Sequence, residues 1–300
     1  MFGAALLAPL VWLGNPAIAL FVGMVLTLIL KRPLLAGGQR WGRLALQSAI
    51  VLLGFTLTVS RVAQVSADSL ALVASYVLIV LAIGAALGRA LKVESVSAWL
   101  MAAGTAICGG TAIATLAPIL KARADQVGVA IGIVFLLNAA AIFGLPLLGK
   151  TMALTQDQFG LWVALAVHDT SSVLATAAIY GEDALEVATT VKLGRTLWLI
   201  PLALAAGLYV GESKARLRVP GFILAFLGAA TFASVVDLPG LVVATAGRLS
   251  KGLLVAALFF IGSEITWQTL RQIRGRVLIH AVLLWLAALA ATLGAVLAWY

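Results

Sequence analysis

Charged residues are scarce in this chain of 300 residues, since Lys, Arg, Asp and Glu together make up only 10% of it. Soluble domains carry roughly 25% charged residues, so this chain lacks the polar surface that a water-soluble protein needs. The single cysteine, Cys108, excludes an internal disulfide and a site built from several thiolates. A cytosolic enzyme, a secreted disulfide-rich scaffold and a disordered tail are therefore excluded. Hydrophobic residues make up 63% of the chain, which indicates a polytopic membrane protein.

Long apolar runs take the place of the missing charge. A helix needs about 20 apolar residues to cross the hydrocarbon core of a membrane. The first 14 residues lack a basic flank, so we do not expect a cleaved signal peptide there. We predict an all-α bundle that forms a single transmembrane domain over residues 1–300. Its hydrophobic segments, about ten in number, are 15–31, 40–60, 68–91, 95–121, 125–149, 158–180, 185–211, 217–236, 243–265 and 275–299.

The net charge of +9 would suggest nucleic-acid binding in a soluble protein. In a membrane protein, basic loops on the cytoplasmic side explain it better, and no nucleic acid is expected as a partner. Four loops are rich in cations, whereas the joints between them are mostly acidic or poor in cations. The residues that we place in the cytoplasm are Lys31, Arg32, Arg40 and Arg43; Arg89 and Lys92; Lys214, Arg216 and Arg218; and Arg271, Arg274 and Arg276.

Two segments carry glycine or polar residues at their centre, where a continuous spanning helix should be apolar. The first reads CGGT at 108–111 and the second HDTSS at 168–172. Ser, Thr and Asp are preferred N-cap residues and glycine permits a turn, so each break predicts the start of a half-helix. Such segments either cross the membrane as broken helices or dip in and return as re-entrant hairpins. Lys121 and Arg123 at the first joint favour hairpins mildly, and both arrangements remain open.

The start of a helix presents unpaired N–H groups and roughly half a positive charge. Two such starts that face one cavity, at the membrane midplane, would bind an anion without a metal. The alternative is structural, because small and hydroxylated residues also let helices pack closely. The residues that we predict at the substrate site from these breaks are Cys108, Gly109, Gly110, Thr111, Asp169, Thr170, Ser171 and Ser172.

Lys192 and Arg195 are spaced i, i+3 within an apolar run and therefore share a helix face. Each charge at bilayer depth costs about 2.5–3.5 kcal/mol on insertion scales, so two cations need an acid, a water-filled cavity or an anionic substrate. Asp169 is the nearest deep acid that could pair with them. We predict that both cations contribute to the substrate site, and the alternative is that both reach the outer surface.

Three further side chains could carry chemistry. His168 beside Asp169 could relay a proton, because histidine titrates near physiological pH, and the alternative is a hydrogen bond across helices. Asn138 lies mid-span and either lines the same cavity or joins helices by hydrogen bonding. Cys108, His168 and Asp169 could in principle hold a metal, but nothing in their spacing favours one. We expect neither a metal nor a cofactor.

Two pairs of stretches are weakly similar within the chain. VLLGFTLTVSRV aligns with FFIGSEITWQTL, and CGGTAIATLA aligns loosely with HDTSSVLATA. By the charge assignment, the helices of the first pair run in opposite directions, as in the inverted-topology repeats of secondary transporters. We predict weak inverted repeats around 15–149 and 158–299, with chance similarity among apolar helices as the alternative.

Four blocks of the chain resemble the YeiH-type bacterial inner-membrane family, whose members carry the label of sulfate exporters: GTAICGGTAIATLAPILKA, LWVALAVHDTSSVLATAA, ATTVKLGRTLWLIPLAL and VLLGFTLT. The resemblance runs from about residue 15 to the C-terminus, and ICGG and HDTSS are its most specific parts. Members often show His-Glu where this chain has His168 and Asp169, so the carboxylate is kept on a shorter side chain. The family is grouped with the cation/proton antiporter and bile-acid-symporter-like superfamily. The resemblance thereby implies a multi-pass protein of the inner membrane. It also implies an inverted-repeat bundle with discontinuous helices at the midplane.

The residues and the resemblance together predict a secondary active transporter, not an enzyme, for a small anion such as sulfate or a sulfonate. Coupling to protons or sodium is expected, with His168 or Asp169 as the proton-coupling residue. Two alternatives remain: a proton- or sodium-coupled cation exchanger in which Asp169 binds the ion, and an anion channel. The expected partners are the anion, the coupling ion and the lipid bilayer, and a homodimer is left open.

Overall fold

The computed structural model describes residues 2–30, 38–210, 221–236, 238–263 and 275–299, and no strand occurs among them. The helices in these ranges are α1 (Phe2–Leu13), α2 (Pro16–Leu30), α3 (Gly38–Gly54), α4 (Val59–Ala90), α5 (Ser95–Ala106), α6 (Gly110–Ile119), α7 (Ala124–Thr151), α8 (Gln156–Ala166), α9 (Thr170–Tyr180), α10 (Glu182–Thr196), α11 (Leu199–Val210), α12 (Gly221–Val235), α13 (Gly240–Gly262) and α14 (Arg276–Trp299).

The chain is an all-α polytopic membrane protein, as the sequence predicts. The predicted segments correspond to long helices, to shorter apolar helices and to two pairs of half-helices. Within the described ranges, the stretches long and apolar enough to cross a membrane are Val59–Ala90, Asp125–Thr151, Glu182–Leu208, Gly240–Gly262 and Arg276–Ala298.

Part of the predicted topology falls outside the described residues. Residues 264–270, the end of the stretch FFIGSEITWQTL, lie outside them. The predicted single domain and its weak inverted repeats stay predictions. The predicted cytoplasmic cations that also lie outside these ranges are Lys31, Arg32, Lys214, Arg216, Arg218, Arg271 and Arg274.

The chain forms two compact units, one of residues 1–65 and 219–269 and the other of residues 66–218 and 270–300. In the first unit, α2 and α13 cross in direct backbone contact. A Cβ on Gly23 would overlap the carbonyl oxygen of Phe259, and a Cβ on Gly262 would overlap that of Leu20. Glycine is therefore required on both helices, because only small residues let membrane helices approach so closely.

The first polar break lies in a re-entrant hairpin of the second unit, formed by α5 and α6. Glu94 precedes α5 and Arg123 follows α6. Their side chains nevertheless form a two-point ion pair, with Arg123 Nη1 2.8 Å from Glu94 Oε1 and Nη2 3.1 Å from Oε2. The segment therefore leaves at the end where it enters and does not cross.

The second break lies in a matching hairpin, formed by α8 and α9. The hydroxyl of Tyr180, at the end of α9, donates to the carbonyl of Leu154, which precedes α8, at 2.5 Å. The side-chain oxygen of Gln156 accepts from the backbone N–H of Asp183 at 3.0 Å. The ends of this segment thus also meet, so both segments are re-entrant hairpins and not broken crossing helices.

α7 connects the two hairpins and gives them opposite directions. It begins directly after Arg123, at the open end of the first hairpin. Beyond its other end, the backbone N–H of Leu154 donates to the carbonyl of Gly149, which places the open end of the second hairpin there. Its 28 residues extend about 42 Å. The hairpins therefore enter from opposite ends of α7, and the second tip lies beside Asn138 at its middle.

A different long helix packs against the first half of each hairpin: α4 against α5, and α14 against α8. Gly84 of α4 faces Ala102 of α5 so closely that a Cβ on the glycine would lie 2.5 Å from the alanine Cβ. The indole N–H of Trp285, on α14, donates to the carbonyl of Ala166 at the end of α8, at 3.0 Å. Both half-helices are thereby held in place up to the residues where they break.

Candidate functional site

The hairpin tips, which we define as residues 107–109 and 167–169, meet at Gly109. Its φ of +59° lies in a region that residues with a side chain rarely adopt. A Cβ at this position would lie 3.2 Å from the Cβ of His168 and 3.3 Å from the Cβ of Asp169. Glycine is therefore required here by the backbone conformation and by the closeness of the second tip.

Asp169 is the N-cap of α9, inside the break HDTSS at which the sequence predicts a half-helix start. Its carboxylate accepts from the backbone N–H of Ser171 at 3.0 Å and of Ser172 at 3.1 Å. The hydroxyls of the same two serines donate to it at 2.7 and 2.5 Å. The positive end of α9 is therefore neutralised by a carboxylate of the chain itself.

The start of α6 has no comparable cap. Its N-cap residue, Gly109, has no side chain and makes no capping hydrogen bond. Cys108 is buried beside it. The predicted residues at the two helix starts that are partly or fully exposed are Gly110, Thr111, Asp169, Thr170 and Ser171.

Asn138 joins the middle of α7 to the second tip. Its amide oxygen accepts from the backbone N–H of His168 at 3.2 Å and lies 3.1 Å from the ring Nδ1. Its amide nitrogen donates to Asp169 Oδ2 at 3.4 Å. Because an amide oxygen can only accept, Nδ1 carries a hydrogen. The buried Nε2 of His168 has no hydrogen-bond partner among the described residues.

Lys192 is fully buried and connects both tips. Its ammonium donates to the carbonyls of Val167 at 2.8 Å and His168 at 2.6 Å on the second tip. It also donates to the carbonyl of Ile107 on the first tip, at 3.2 Å. An ammonium has three N–H groups, so each of them has an acceptor.

Arg195 lies one turn further along α10 and is equally buried. Carbonyls at the C-terminal end of a helix carry negative partial charge, so a cation placed there stabilises the half-helix. The guanidinium donates at 2.5 to 3.5 Å to five carbonyls at the ends of α5 and α8, those of Thr105, Ile107, Ala164, Leu165 and Val167.

The expected pairing of these cations with Asp169 is not what the described hydrogen bonds show. Both cations donate to backbone carbonyls, whereas Asp169 accepts from two serines and an asparagine. The physical reason is that an interrupted helix opens carbonyls before the break as well as N–H groups after it. Burial of Lys192 and Arg195 also excludes the alternative that they reach the surface. Their contact with a substrate anion stays a prediction.

Sequence reasoning missed Tyr76, in α4. The guanidinium carbon of Arg195 lies 5.1 Å from the centre of its ring, and its hydroxyl donates to the carbonyl of Thr105 at 3.1 Å. An aromatic face stabilises a desolvated cation beside it. The available signal was a tyrosine inside an apolar run, since membrane tyrosines concentrate at the interfaces.

A metal site is not assembled in the part of the chain that the structure describes. No three side chains of the types His, Cys, Asp and Glu come together there in a group that could hold a metal ion. Cys108, His168 and Asp169 all lie at the tips without forming such a group. The polar chemistry of the site therefore rests on helix ends, two cations and one carboxylate.

The chain belongs to the family described as Conserved hypothetical protein 698, whose model matches residues 4–281. It is 38% identical to a UPF0324 membrane protein of Geobacter sulfurreducens, over 94% of this chain and 90% of the relative. It is 37% identical to one of Bdellovibrio bacteriovorus, over 94% of this chain and 89% of the relative. These relatives confirm the YeiH-type assignment made from the sequence. No solved structure matches the chain.

Proposed function

We propose that this member of the Conserved hypothetical protein 698 family is a secondary active transporter of the bacterial inner membrane for a small anion, such as sulfate or an organic sulfonate. The observation that carries the proposal is the meeting of two re-entrant hairpins that enter from opposite ends of α7. Secondary transporters with inverted repeats bind their substrates where discontinuous helices meet near the middle of the membrane.

The start of α6 is the proposed anion site. Gly109 makes no capping hydrogen bond there, and Thr111 is exposed and offers a hydroxyl. Backbone N–H groups at a helix start bind anions, and the helix dipole favours negative charge. Lys192 and Arg195 add positive potential even though their N–H groups are used, because a charge acts over a longer range in a low-dielectric interior.

The charges at the two open hairpin ends indicate the orientation. The end at which the first hairpin enters has more cations than acids, and the opposite end has more acids. By the positive-inside rule, the first hairpin opens to the cytoplasm. The residues at its end are Arg89, Lys92, Lys121 and Arg123 with Glu94 and Asp125, and those at the other end are Lys150 with Asp157, Glu182, Asp183 and Glu186.

Asp169 is the proposed coupling residue, with His168 as its neighbour in the proton path. While ionised, its carboxylate neutralises the start of α9. Protonation would remove that charge, and the anion would gain a second helix start. Proton and anion would then enter the site together, which is the behaviour of a symporter.

The test is anion flux in proteoliposomes that contain the purified protein. Labelled sulfate and a panel of unlabelled anions and sulfonates would be measured with and without an imposed pH gradient. We expect saturable flux that responds to the gradient and falls about tenfold, or ~1.4 kcal/mol, in Asp169→Asn. Asp183→Asn, which changes an exposed acid at the open end of the second hairpin, is the matched control.

Three results would count against the proposal. If the flux of every tested anion is unchanged in both Asp169→Asn and Arg195→Gln, the proposed site is wrong. Collapse of a pH gradient that requires sodium or lithium would identify a cation exchanger at Asp169. Flux that does not saturate with anion concentration would identify a channel.

A further inference from the structure

Three carbonyl oxygens converge on the ammonium of Lys192, at 2.6 to 3.2 Å from Nζ. Ile107 provides one from the first tip, and Val167 and His168 provide two from the second. The acceptors are main-chain oxygens of two separate hairpins, and the lysine is fully buried. Three acceptors match the three N–H groups of an ammonium, and no single helix supplies all of them.

Such a set of oxygens is typical of an ion site in a secondary transporter. Where a helix is interrupted in the membrane, unwound carbonyls and the C-terminal ends of half-helices coordinate the coupling sodium ion. A lysine ammonium is a compact point charge with three donors, and so it can take the place of such an ion. Unlike an ion, it is tied to α10 by its stem and cannot leave.

We propose that Lys192 is a built-in cation in a carbonyl-lined ion site, so that the hairpin tips stay together without sodium and transport does not use sodium as its coupling ion. The statement that transport does not use sodium rests on the proposed function. The statement that Lys192 holds the tips together does not. This second statement can be tested through the thermal unfolding of the protein, without any substrate.

Arg195 defines the size of this ion site. The carbonyls of Ile107 and Val167 accept from both cations. Three further carbonyls at the half-helix ends accept from the guanidinium, those of Thr105, Ala164 and Leu165. Removing the Lys192 side chain alone would therefore leave a vacancy bounded by Arg195 and the two tips. The atoms that Lys192→Ala removes, Cγ, Cδ, Cε and Nζ, correspond to one n-propylammonium ion.

The test replaces the tethered cation by a free one in the purified full-length protein. Lys192→Ala is expected to lower the midpoint of thermal unfolding by about 10 °C, since it leaves buried carbonyls without their cation. Propylammonium chloride is expected to restore part of this loss. Choline chloride at the same concentration is expected to restore none, because choline is bulkier and has no N–H donor.

Two variants serve as controls. Lys192→Met removes the charge but fills the space, so its midpoint should fall and should not respond to propylammonium. Lys150→Ala removes an exposed cation at the end of α7, and its midpoint should stay close to that of the wild type in both salts. An unchanged midpoint in Lys192→Met, or equal rescue of Lys192→Ala by choline and propylammonium, would overturn the proposal.

The wild-type protein provides a second arm that needs no variant. Exchange of sodium chloride for choline chloride is expected to change neither its unfolding midpoint nor its anion flux. A rise of either in sodium would mean that a free sodium ion binds, and the proposal would be wrong. If no anion is transported at all, the proposed function fails, but the unfolding midpoints still decide the role of Lys192.

Discussion

Glu94 and Arg123 lie 29 residues apart in the chain and form a two-point ion pair. The chain between them comprises α5, the first tip and α6. It therefore enters and leaves at one end of the second unit. α7 begins immediately after Arg123, and the open end of the second hairpin lies at its far end. This contact and the hydrogen bond of Tyr180 to Leu154 together distinguish a pair of opposed hairpins from a pair of broken crossing helices.

Cysteine accessibility would test this arrangement directly. In a Cys108→Ala background, Lys92→Cys and Lys121→Cys should react with an impermeant maleimide from one side of the membrane. Lys150→Cys and Glu182→Cys should react from the other side, because α7 separates the two hairpin ends. The measurement compares right-side-out with inside-out vesicles. Labelling of positions 92 and 121 from opposite sides, as broken crossing helices require, would contradict the hairpins.

Gly109→Ala should damage the site through the backbone alone. The native φ of +59° disfavours any side chain, and the added methyl would lie 3.1 Å from Val134 Cγ1 as well as against the second tip. We expect a loss of about 1–3 kcal/mol in the free energy of unfolding, together with a loss of anion flux. Denaturant titration in detergent, followed by tryptophan fluorescence, would measure the first.

Gly110→Ala is the matched control for that variant. The neighbouring glycine has an ordinary helical backbone, and a Cβ on it would meet nothing within 4 Å. Its unfolding free energy should stay the same or rise by a few tenths of a kcal/mol, because alanine has less conformational entropy to lose than glycine. Equal destabilisation by both substitutions would mean that closeness of the tips is not the cause.

The positions of the two breaks could be predicted from the sequence, whereas the partners of the cations could not. CGGT and HDTSS are local signals, because glycine, serine, threonine and aspartate favour helix starts whatever surrounds them. The helices α6 and α9 accordingly begin inside these two breaks, at Gly110 and Thr170. The carbonyls left open before each break carry no residue-specific signal, since every residue has one. Lys192 and Arg195 therefore pointed to buried charge but not to what they bind.

Whether the two segments turn back or cross the membrane could not be predicted from the local sequence either. Two cations at one joint favoured hairpins, but the decisive contacts join residues such as Tyr180 and Leu154, at opposite ends of a segment. Such pairings depend on the path of the chain, which apolar composition does not specify. Tyr76 illustrates the same limit, because its role follows from Arg195 and Thr105, on helices distant in sequence.

Arg195→Lys should be far from conservative. The guanidinium reaches five carbonyls of both half-helices, and an ammonium has only three N–H groups and no planar fork. The carbonyls left without a donor should cost about 1–3 kcal/mol in the free energy of unfolding. Arg195→Gln, which also removes the charge, should cost about 3–5 kcal/mol.

Arg89→Lys is the control for this pair of variants, because Arg89 is exposed near the end of α4. The same denaturant titration should place it within about 0.5 kcal/mol of the wild type. An Arg195→Lys protein as stable as Arg89→Lys would show that charge alone, and not the number of donors, holds the tips.

The ion pair that closes the first hairpin should make stability depend on pH in a defined direction. Hydrogen bonding to Arg123 lowers the pKa of Glu94 below its ordinary value. A carboxyl whose pKa is lowered by folding stabilises the folded state above its unfolded pKa, and this contribution is lost as the pH falls through the folded pKa. Arg123→Gln should therefore unfold at a lower temperature than the wild type at pH 7, and the difference should shrink below about pH 4.

The effect should be small and sensitive to salt, because the side chains of Arg123 and Glu94 are 58% and 53% exposed. Unfolding midpoints of both proteins at neutral and acidic pH, in low and high salt, would measure it. High salt should reduce the difference at pH 7, since it screens exposed charges. Arg89→Gln should show no such pH dependence. A difference between wild type and Arg123→Gln that grows as the pH falls would have the wrong sign for a lowered pKa, and the ion pair could not then be what closes the hairpin.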